Sequence, residues 1–367
     1  MTSRQFYIIV LLFSIVTKIQ RFPSLLYDVC GKDGYLIIAI YGVLNIIGIM
    51  IAFLIYKLLS NKILKEEKNN KYLEFLKKLT MLALAFYFIT EALILFEHVQ
   101  NIFADTLFDK FSWSIFSLLF LFAIFYLAKS GIKNIAINFE LFAAVIVGSL
   151  FMIAVLGSGN ADYSVVLPFE SIDFNNIFSN IFKFNIWFGD FFIILCLLFH
   201  TKKARLSKTI LAYCTSIISV LFLTITFYGI FGDYSALQPG LISTITEQSM
   251  LGINIGRADW FLILIAEIGT ILSCSVCIYF ANKGLCSAFP KIKPLYIAIF
   301  IAALFYVINV YVLLDKFIVR EYLFFGIGSK ISLILKIALT LLIFMVALKN
   351  FTKSKKQKKE SFSGKIF

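Results

Sequence analysis

Hydrophobic residues along the chain are gathered into long runs that short polar segments separate. Ten such runs fall at about 6–28, 34–57, 80–100, 112–129, 134–156, 174–199, 209–231, 259–282, 295–314 and 331–349. Most have the roughly 17–25 residues that a helix needs to cross the hydrocarbon core of a bilayer. The pattern therefore predicts an all-α polytopic membrane protein with ten transmembrane helices.

The composition supports a membrane protein and argues against several other classes. Of the 367 residues, 60% are hydrophobic and 15% are charged, whereas soluble domains have about 45–50% and about 25%. This argues against a soluble enzyme, a nucleic-acid-binding domain and a secreted disulfide scaffold. The sequence contains two histidines and lacks a Gly-rich phosphate loop, a His-Glu-x-x-His motif and a nucleophile elbow, so we predict neither enzymatic activity nor a cofactor.

Positive charge alternates between the two sides of the predicted spans. Of the 34 Lys and Arg residues, 24 lie in or beside the segments that share the side of the termini, and seven lie on the opposite side. Because positively charged connections stay inside, we expect both termini in the cytoplasm. Residues 1–352 then form one transmembrane domain, and the Lys-rich residues 353–367 form a basic cytoplasmic tail that contacts anionic lipid. The net charge of +13 thus indicates topology and lipid contact, with no nucleic-acid partner.

Lys18 is the most informative polar residue within an apolar run. It lies about 12 residues into the first run, near the midplane at ~1.5 Å per residue. Pro23 removes a backbone donor and disfavours helix at Phe22, so the first span is predicted to be two half-helices with a polar interruption. A ligand or ion site at that interruption is one interpretation. The other is a structural Lys18 that pairs with a buried carboxylate or extends to the membrane interface.

A second interruption is predicted in the sixth span. Gly189 permits unwinding, and Asn185 and Asp190 offer polar contacts beside it; the alternative is an ordinary helix with a polar start. Ten spans divide into two sets of five with opposite orientation, about 1–156 and 174–349. Interrupted first helices in both sets are expected of an inverted-repeat transporter with its site near the midplane.

Carboxylates in these spans are candidates for ion pairing or proton coupling, because an ionisable group in the membrane is costly. They are Glu91, Asp190 and Glu267, with Lys18 as the cation. Glu91 and His98 are seven residues apart and share one helix face, which permits a proton relay; alternatively, His98 lies at the outer interface. Glu267 in the eighth span is a candidate partner for Lys18.

Six short stretches carry a resemblance to a known family. They are Thr2–Phe6, Lys32–Tyr35, Leu167–Pro168, Phe188–Asp190, Gln238–Gly240 and Ile255–Trp260. Together with the length and the ten spans, they resemble the spore germination permeases, which are the B subunits of nutrient germinant receptors within the amino acid–polyamine–organocation superfamily. One feature departs from the family: its first span usually has a small or Gly-containing interruption, whereas Val16, Thr17 and Lys18 occupy that region here.

The resemblance implies a nutrient-sensing subunit of a spore germinant receptor, in the bacterial cell membrane and specifically the spore inner membrane. It also implies a site for an amino acid or a similar small nutrient at the two interruptions. The residues of that site would be Thr17, Lys18, Gln20, Asn185, Trp187 and Gly189. The family partners would be a larger membrane A subunit and a lipoprotein C subunit. Lys18 would either supply the positive charge that a coupling ion provides in related transporters or fill the site itself.

Two other functions remain open at this stage. A proton- or sodium-coupled secondary transporter for amino acids or amines would use the same fold, and only flux distinguishes it from a sensor. A membrane glycan polymerase or flippase would favour large external loops. The longest predicted external segment, about 157–183, is too short to favour this class.

Overall fold

The computed structural model describes residues 1–60, 71–106, 110–166, 172–238, 240–248, 259–308 and 326–363. All regular secondary structure in these ranges is helical. The α-helices are α1 (Ser3–Val16), α2 (Phe22–Cys30), α3 (Tyr35–Ser60), α4 (Lys71–Thr106), α5 (Lys110–Ser130), α6 (Ile132–Ser158), α7 (Phe174–Asn180), α8 (Asp190–Leu198), α9 (Leu206–Phe231), α10 (Leu241–Gln248), α11 (Asp259–Ala288), α12 (Pro294–Val307) and α13 (Ile327–Ser363).

Seven helical segments of the described chain are long and apolar enough to cross a membrane. They are Phe22–Leu59, Glu74–Glu97, Ile132–Ser158, Phe174–Leu198, Leu206–Leu237, Leu262–Ala288 and Gly328–Val346. Shorter apolar helices cover Ser3–Val16, Ser117–Ser130 and Pro294–Val307. The prediction of an all-α protein with several membrane-spanning helices is therefore confirmed.

The start of α1 is fixed by a capping box and by a contact with α6. The Gln5 amide donates to Thr2 Oγ1 at 3.2 Å, and the Thr2 amide donates to Gln5 Oε1 at 3.0 Å. These bonds satisfy backbone donors that the first turn of a helix leaves open. Glu140 of α6 accepts from Gln5 Nε2 at 3.0 Å and pairs with Arg4 Nε at 3.1 Å, which ties α1 to α6.

The interior of the bundle is formed by α1, α4, α8 and α11. Helix α11 packs against α4, α6 and α5, and α1 packs against α9, α6 and α11. Within their most apolar windows, Phe174–Leu198 and Leu262–Ala288 have 78% and 72% of residues buried, against 28% for Ile132–Ser158. A helix that is apolar all round and buried belongs to the core of a bundle, so the sixth predicted span lies at its centre.

Both interruptions that the sequence predicts are present. Helix α1 ends at Val16, residues Thr17–Arg21 are not helical, and α2 begins at Phe22 with Pro23 in its first turn, where no backbone donor is required. In the sixth predicted span, the 3₁₀ helix Ile181–Trp187 is followed by the non-helical Phe188–Gly189 before α8 begins. We call Thr17–Arg21 the first joint and Phe188–Gly189 the second joint.

The long helices α4 and α11 approach each other closely at Gly284. A Cβ atom at this position would lie 2.7 Å from the Met81 carbonyl oxygen and 2.9 Å from Ala85 Cβ. Both neighbours belong to α4, and the Met81 oxygen is backbone that cannot rotate away. The absence of a side chain at Gly284 therefore sets the spacing of two central helices.

We expect Gly284→Ala to destabilise the fold by about 1–3 kcal/mol, because the added methyl group forces α4 and α11 apart. The matched control is Gly148→Ala in α6, where a Cβ would have no neighbour within 4 Å. That control should be neutral or should stabilise the helix by up to about 1 kcal/mol. Thermal unfolding of both variants in detergent micelles, followed by circular dichroism, measures the difference. Equal melting temperatures for the two variants would contradict this account of the α4–α11 contact.

Candidate functional site at the two helix interruptions

The two joints meet at an ion pair. Lys18 Nζ in the first joint lies 2.8 Å from Asp190 Oδ2 and 3.0 Å from Oδ1. The two side chains are 0% and 3% exposed. An ammonium and a carboxylate in a low-dielectric interior are stable only when they neutralise each other and their remaining hydrogen bonds are made. The pair therefore fixes the position of one interrupted span relative to the other.

Neighbouring polar groups complete the coordination of the pair. The ammonium of Lys18 also donates to the Ser14 carbonyl oxygen at 3.3 Å and to Thr17 Oγ1 at 3.1 Å. The Tyr213 hydroxyl of α9 donates to Asp190 Oδ2 at 3.3 Å. The Ser14 carbonyl belongs to the last turn of α1, where no intrahelical donor is available. Lys18 thus satisfies backbone of the interrupted helix as well as the carboxylate.

The second joint and the 3₁₀ helix before it are held by contacts with α4 and α13. The Tyr87 hydroxyl donates to the Gly189 carbonyl oxygen at 3.0 Å. Lys336 Nζ donates to the Asn185 carbonyl oxygen, and Asn185 Nδ2 donates to the Ser329 carbonyl oxygen at 2.8 Å. A Cβ at Gly189 would overlap the Tyr87 hydroxyl, so only glycine fits this approach. Backbone freed by an interruption inside a membrane protein needs such internal partners.

The first joint has a second polar cluster on its other side. Gln20 Nε2 donates to Glu267 Oε1 at 2.7 Å and to Thr270 Oγ1 at 2.9 Å, and the Gln20 carbonyl accepts from the Leu241 amide at 3.0 Å. The expected pairing of Lys18 with Glu267 is therefore wrong. The carboxylate that meets Lys18 belongs to α8, whereas Glu267 of α11 meets the residue two positions further along the joint.

Aromatic rings surround the polar centre. The Trp187 ring lies 5.1 Å from that of Phe22, and the Phe188 ring stacks on Tyr41 at 4.4 Å with an interplanar angle of 5°. Lys18 Nζ lies 5.4 Å from the Phe188 ring centroid, within the range of a cation–π interaction. These rings limit access of water to the ion pair, which strengthens its electrostatic interaction.

The remaining predicted ionisable residues are distributed around this centre. Glu91 is buried on α4 and interacts electrostatically with Lys336 and with Tyr87. The side chain of His98 lies outside the described residues, so a relay from Glu91 to His98 stays a prediction. Arg21 Nη1 lies 3.9 Å from Glu97 Oε1, a contact between the first joint and α4 that the sequence analysis did not identify.

The structure adds several residues to the predicted site. Lys336 is an ionisable residue within an apolar run, and that signal could have placed it near the site. Ser14, Tyr87 and Tyr213 carry no comparable signal, because serine and tyrosine are common in apolar helices.

No group of three or more His, Cys, Asp or Glu side chains that could hold a metal ion occurs among the described residues.

The ion pair predicts strong coupling between Lys18 and Asp190. Lys18→Met leaves a buried carboxylate without its cation, which should cost about 3–5 kcal/mol of unfolding free energy. The double variant Lys18→Met with Asp190→Asn has no unpaired charge left from the pair. Its loss of unfolding free energy should therefore be smaller, by more than about 1 kcal/mol, than the sum of the losses of the two single variants. Unfolding free energies of the single and double variants in detergent measure this coupling.

The matched control is the combination of Lys18→Met with Glu267→Gln, two residues that do not pair. Their effects should add within about 0.5 kcal/mol. Additivity of the Lys18 and Asp190 variants, together with coupling of the Lys18 and Glu267 variants, would overturn the assignment of the pair.

The comparisons with known proteins place the chain in a family. The family model described as "Spore germination protein" matches residues 1–317. No curated protein matches the chain. Of the stretches that carry the resemblance, Phe188–Asp190 lies at the second joint, whereas Leu167–Pro168, Pro239 and residues 255–258 lie outside the described residues. With its seven apolar helices of membrane-spanning length, the chain is a multi-pass membrane protein that belongs to the spore germination protein family.

Proposed function

We propose that this chain is the nutrient-sensing subunit of a spore germinant receptor, with a transporter-like fold, and that it binds an amino acid or a similar small nutrient between the two joints. The observation that carries the proposal is the buried Lys18–Asp190 ion pair at the meeting point of two interrupted helices. Transporter folds place their substrate and ion sites at interrupted helices near the midplane, and ionisable residues inside a membrane mark such sites.

Unpartnered acceptors within a few residues of the pair along the chain support a ligand site. Asn185 Oδ1 and Gln20 Oε1 are buried and have no hydrogen-bond partner among the described residues. A buried acceptor without a donor costs about 1–3 kcal/mol, so a ligand that brings donors gains free energy there. An α-amino acid has an ammonium that donates to such oxygens and a carboxylate that binds Lys18.

The residues assigned to the ligand divide by their chemistry. Thr17 and Lys18 face the ligand carboxylate, and the amide side chains face its ammonium or side chain. The ligand-binding set is Thr17, Lys18, Gln20, Asn185, Trp187 and Gly189, with Glu91, Asp190 and Glu267 available for ion pairing or proton coupling. A ligand carboxylate competes with Asp190 for Lys18, and this competition biases the equilibrium between two arrangements of the joints.

The proposed architecture is a ten-span transmembrane domain over residues 1–352, with inverted repeats at about 1–156 and 174–349. Three short apolar helices support this count when they are added to the seven longer segments. Both termini are assigned to the cytoplasm, with residues 353–367 as a basic tail on anionic lipid. The proposed partners are the receptor A subunit and the lipoprotein C subunit in the spore inner membrane; the proposal needs no cofactor.

A secondary amino acid or amine transporter is the second candidate function. Glu267 favours it, because this buried carboxylate has one oxygen, Oε2, without a hydrogen-bond partner among the described residues. Such an oxygen can accept a proton or a cation, which is what a coupled transporter requires. Flux driven by a proton or sodium gradient is the property that distinguishes the two functions.

The first test measures binding by the full chain. A panel of amino acids should raise the melting temperature of the purified protein, since a ligand that binds only the folded state stabilises it. Thr17→Val should weaken the affinity of the stabilising amino acid about tenfold, because the Thr17 hydroxyl that contacts Lys18 is lost. The matched control is Thr215→Val on the exposed face of α9, which should leave the affinity unchanged. No stabilisation by any member of the panel, or equal losses in both variants, would contradict the proposed site.

The second test measures uptake of the same labelled amino acids by proteoliposomes, with and without proton and sodium gradients. Stabilisation without uptake is the result that we expect of a receptor subunit. Saturable uptake that a gradient drives, and that Glu267→Gln abolishes, would assign the chain to the transporter class instead.

A further inference from the structure

Lys283, near the end of α11, lines two apolar cavities that lie on either side of that helix. One cavity of about 490 Å³ lies between α4, α8 and α11, with Phe88, Leu195 and Phe280 among its lining residues. The other, of about 560 Å³, lies between α5, α11 and α12, with Phe122, Leu295 and Ile299 among its lining residues. Each has a volume in the range of small-molecule sites, about 300–1,000 Å³.

Both cavities are at the same end of the bundle, and each has a second lysine. Gly284 of α11 lies against Met81 in the first third of α4, and the cavity between these helices is also lined by Lys77. The second cavity is lined by Lys129 at the end of α5 and by Pro294 at the start of α12. Lys283 therefore lines both cavities, and Lys77 and Lys129 each line one of them.

Among the described residues, the two lysines of the second cavity have no counter-ion within the bundle. Lys129 and Lys283 are exposed, and neither forms an ion pair with another described residue. Lys283 Nζ lies 5.9 Å from the Tyr279 ring, which orients the ammonium at the rim. The second cavity opens toward the outer surface of the bundle, since Phe122 and Leu295 are 73% and 58% exposed. A bilayer lipid can reach it laterally.

We propose that the two cavities form one binding site for an anionic phospholipid with two acyl chains, drawn from the surrounding bilayer. Lys283 binds the phosphate, with Lys77 and Lys129 on either side, and each cavity holds one chain. Basic pockets between transmembrane helices are known to bind anionic head groups in this way. Two apolar cavities that share one cation match two chains that share one phosphate. The site is separate from the joints and does not depend on the proposed function.

The test uses the full chain in nanodiscs that contain phosphatidylglycerol and phosphatidylcholine in equal amounts. Native mass spectrometry of the released protein should show preferential retention of phosphatidylglycerol. Lys283→Gln should reduce this retention about fivefold, the factor expected for one lysine at an anionic head group. Lys133→Gln removes the same charge from an exposed position that lines neither cavity, and it should retain phosphatidylglycerol as the unmodified chain does.

A second variant tests the acyl chains independently of charge. Ala298→Trp fills the cavity between α5 and α12. It should lower retention of phosphatidylglycerol to the level at which the unmodified chain retains lyso-phosphatidylglycerol, which has one acyl chain. Unchanged retention in Lys283→Gln, equal losses in Lys283→Gln and Lys133→Gln, or unchanged retention in Ala298→Trp would overturn the proposal. If Lys283→Gln does not fold, judged by its elution and melting temperature in phosphatidylcholine, Ala298→Trp decides the question alone.

Discussion

The structure depends most on the buried ion pair between Lys18 and Asp190. Removing either charge from water costs several kcal/mol, and the interior returns that cost only if the two groups meet with good geometry and further hydrogen bonds. This requirement forces the two joints to the same depth in the bundle. It also draws in Thr17 and Tyr213, whose hydroxyl groups contact one member of the pair each. The pair thereby ties the end of α1 to the start of α8.

The helix dipoles stabilise the same two charges that the ion pair brings together. Lys18 follows the carboxyl end of α1, where the partial charge is negative, and Asp190 begins α8, where the partial charge is positive. Each charge is therefore stabilised by its own half-helix as well as by its partner. A ligand carboxylate that replaces Asp190 at Lys18 keeps the first of these interactions, and a ligand ammonium at Asp190 keeps the second. The arrangement suits a zwitterion better than a ligand with one charge, which is the chemical reason for proposing an amino acid.

Much of this centre could be predicted from the sequence, because charged residues are rare within membrane-spanning segments and are easily recognised there. Lys18 and Asp190 stand out as charges within apolar runs, and Pro23 and Gly189 mark the interruptions that the structure contains. The partner of Lys18 was predicted wrongly for a physical reason. Sequence spacing gives the depth of a residue in the membrane, but its direction around the helix axis follows the 3.6-residue period only where the chain is helical. Lys18 and Gln20 lie in a non-helical joint, so periodicity could not assign one to Asp190 and the other to Glu267.

The 3₁₀ helix before the second joint is held by the last described helix, α13. The Asn185 carbonyl oxygen accepts from Lys336 Nζ, and Asn185 Nδ2 donates to the Ser329 carbonyl oxygen. Both partners belong to α13 and lie beyond the matched residues 1–317. The first joint, by contrast, takes its backbone donor from Leu241 of α10, within the matched region. The amide group of Asn185 donates to α13 through its nitrogen, and its oxygen has no hydrogen-bond partner among the described residues. The position of α13 therefore determines where that oxygen lies. The two halves of the candidate site are thus supported by different parts of the chain, and the last helix has a direct structural role in one of them.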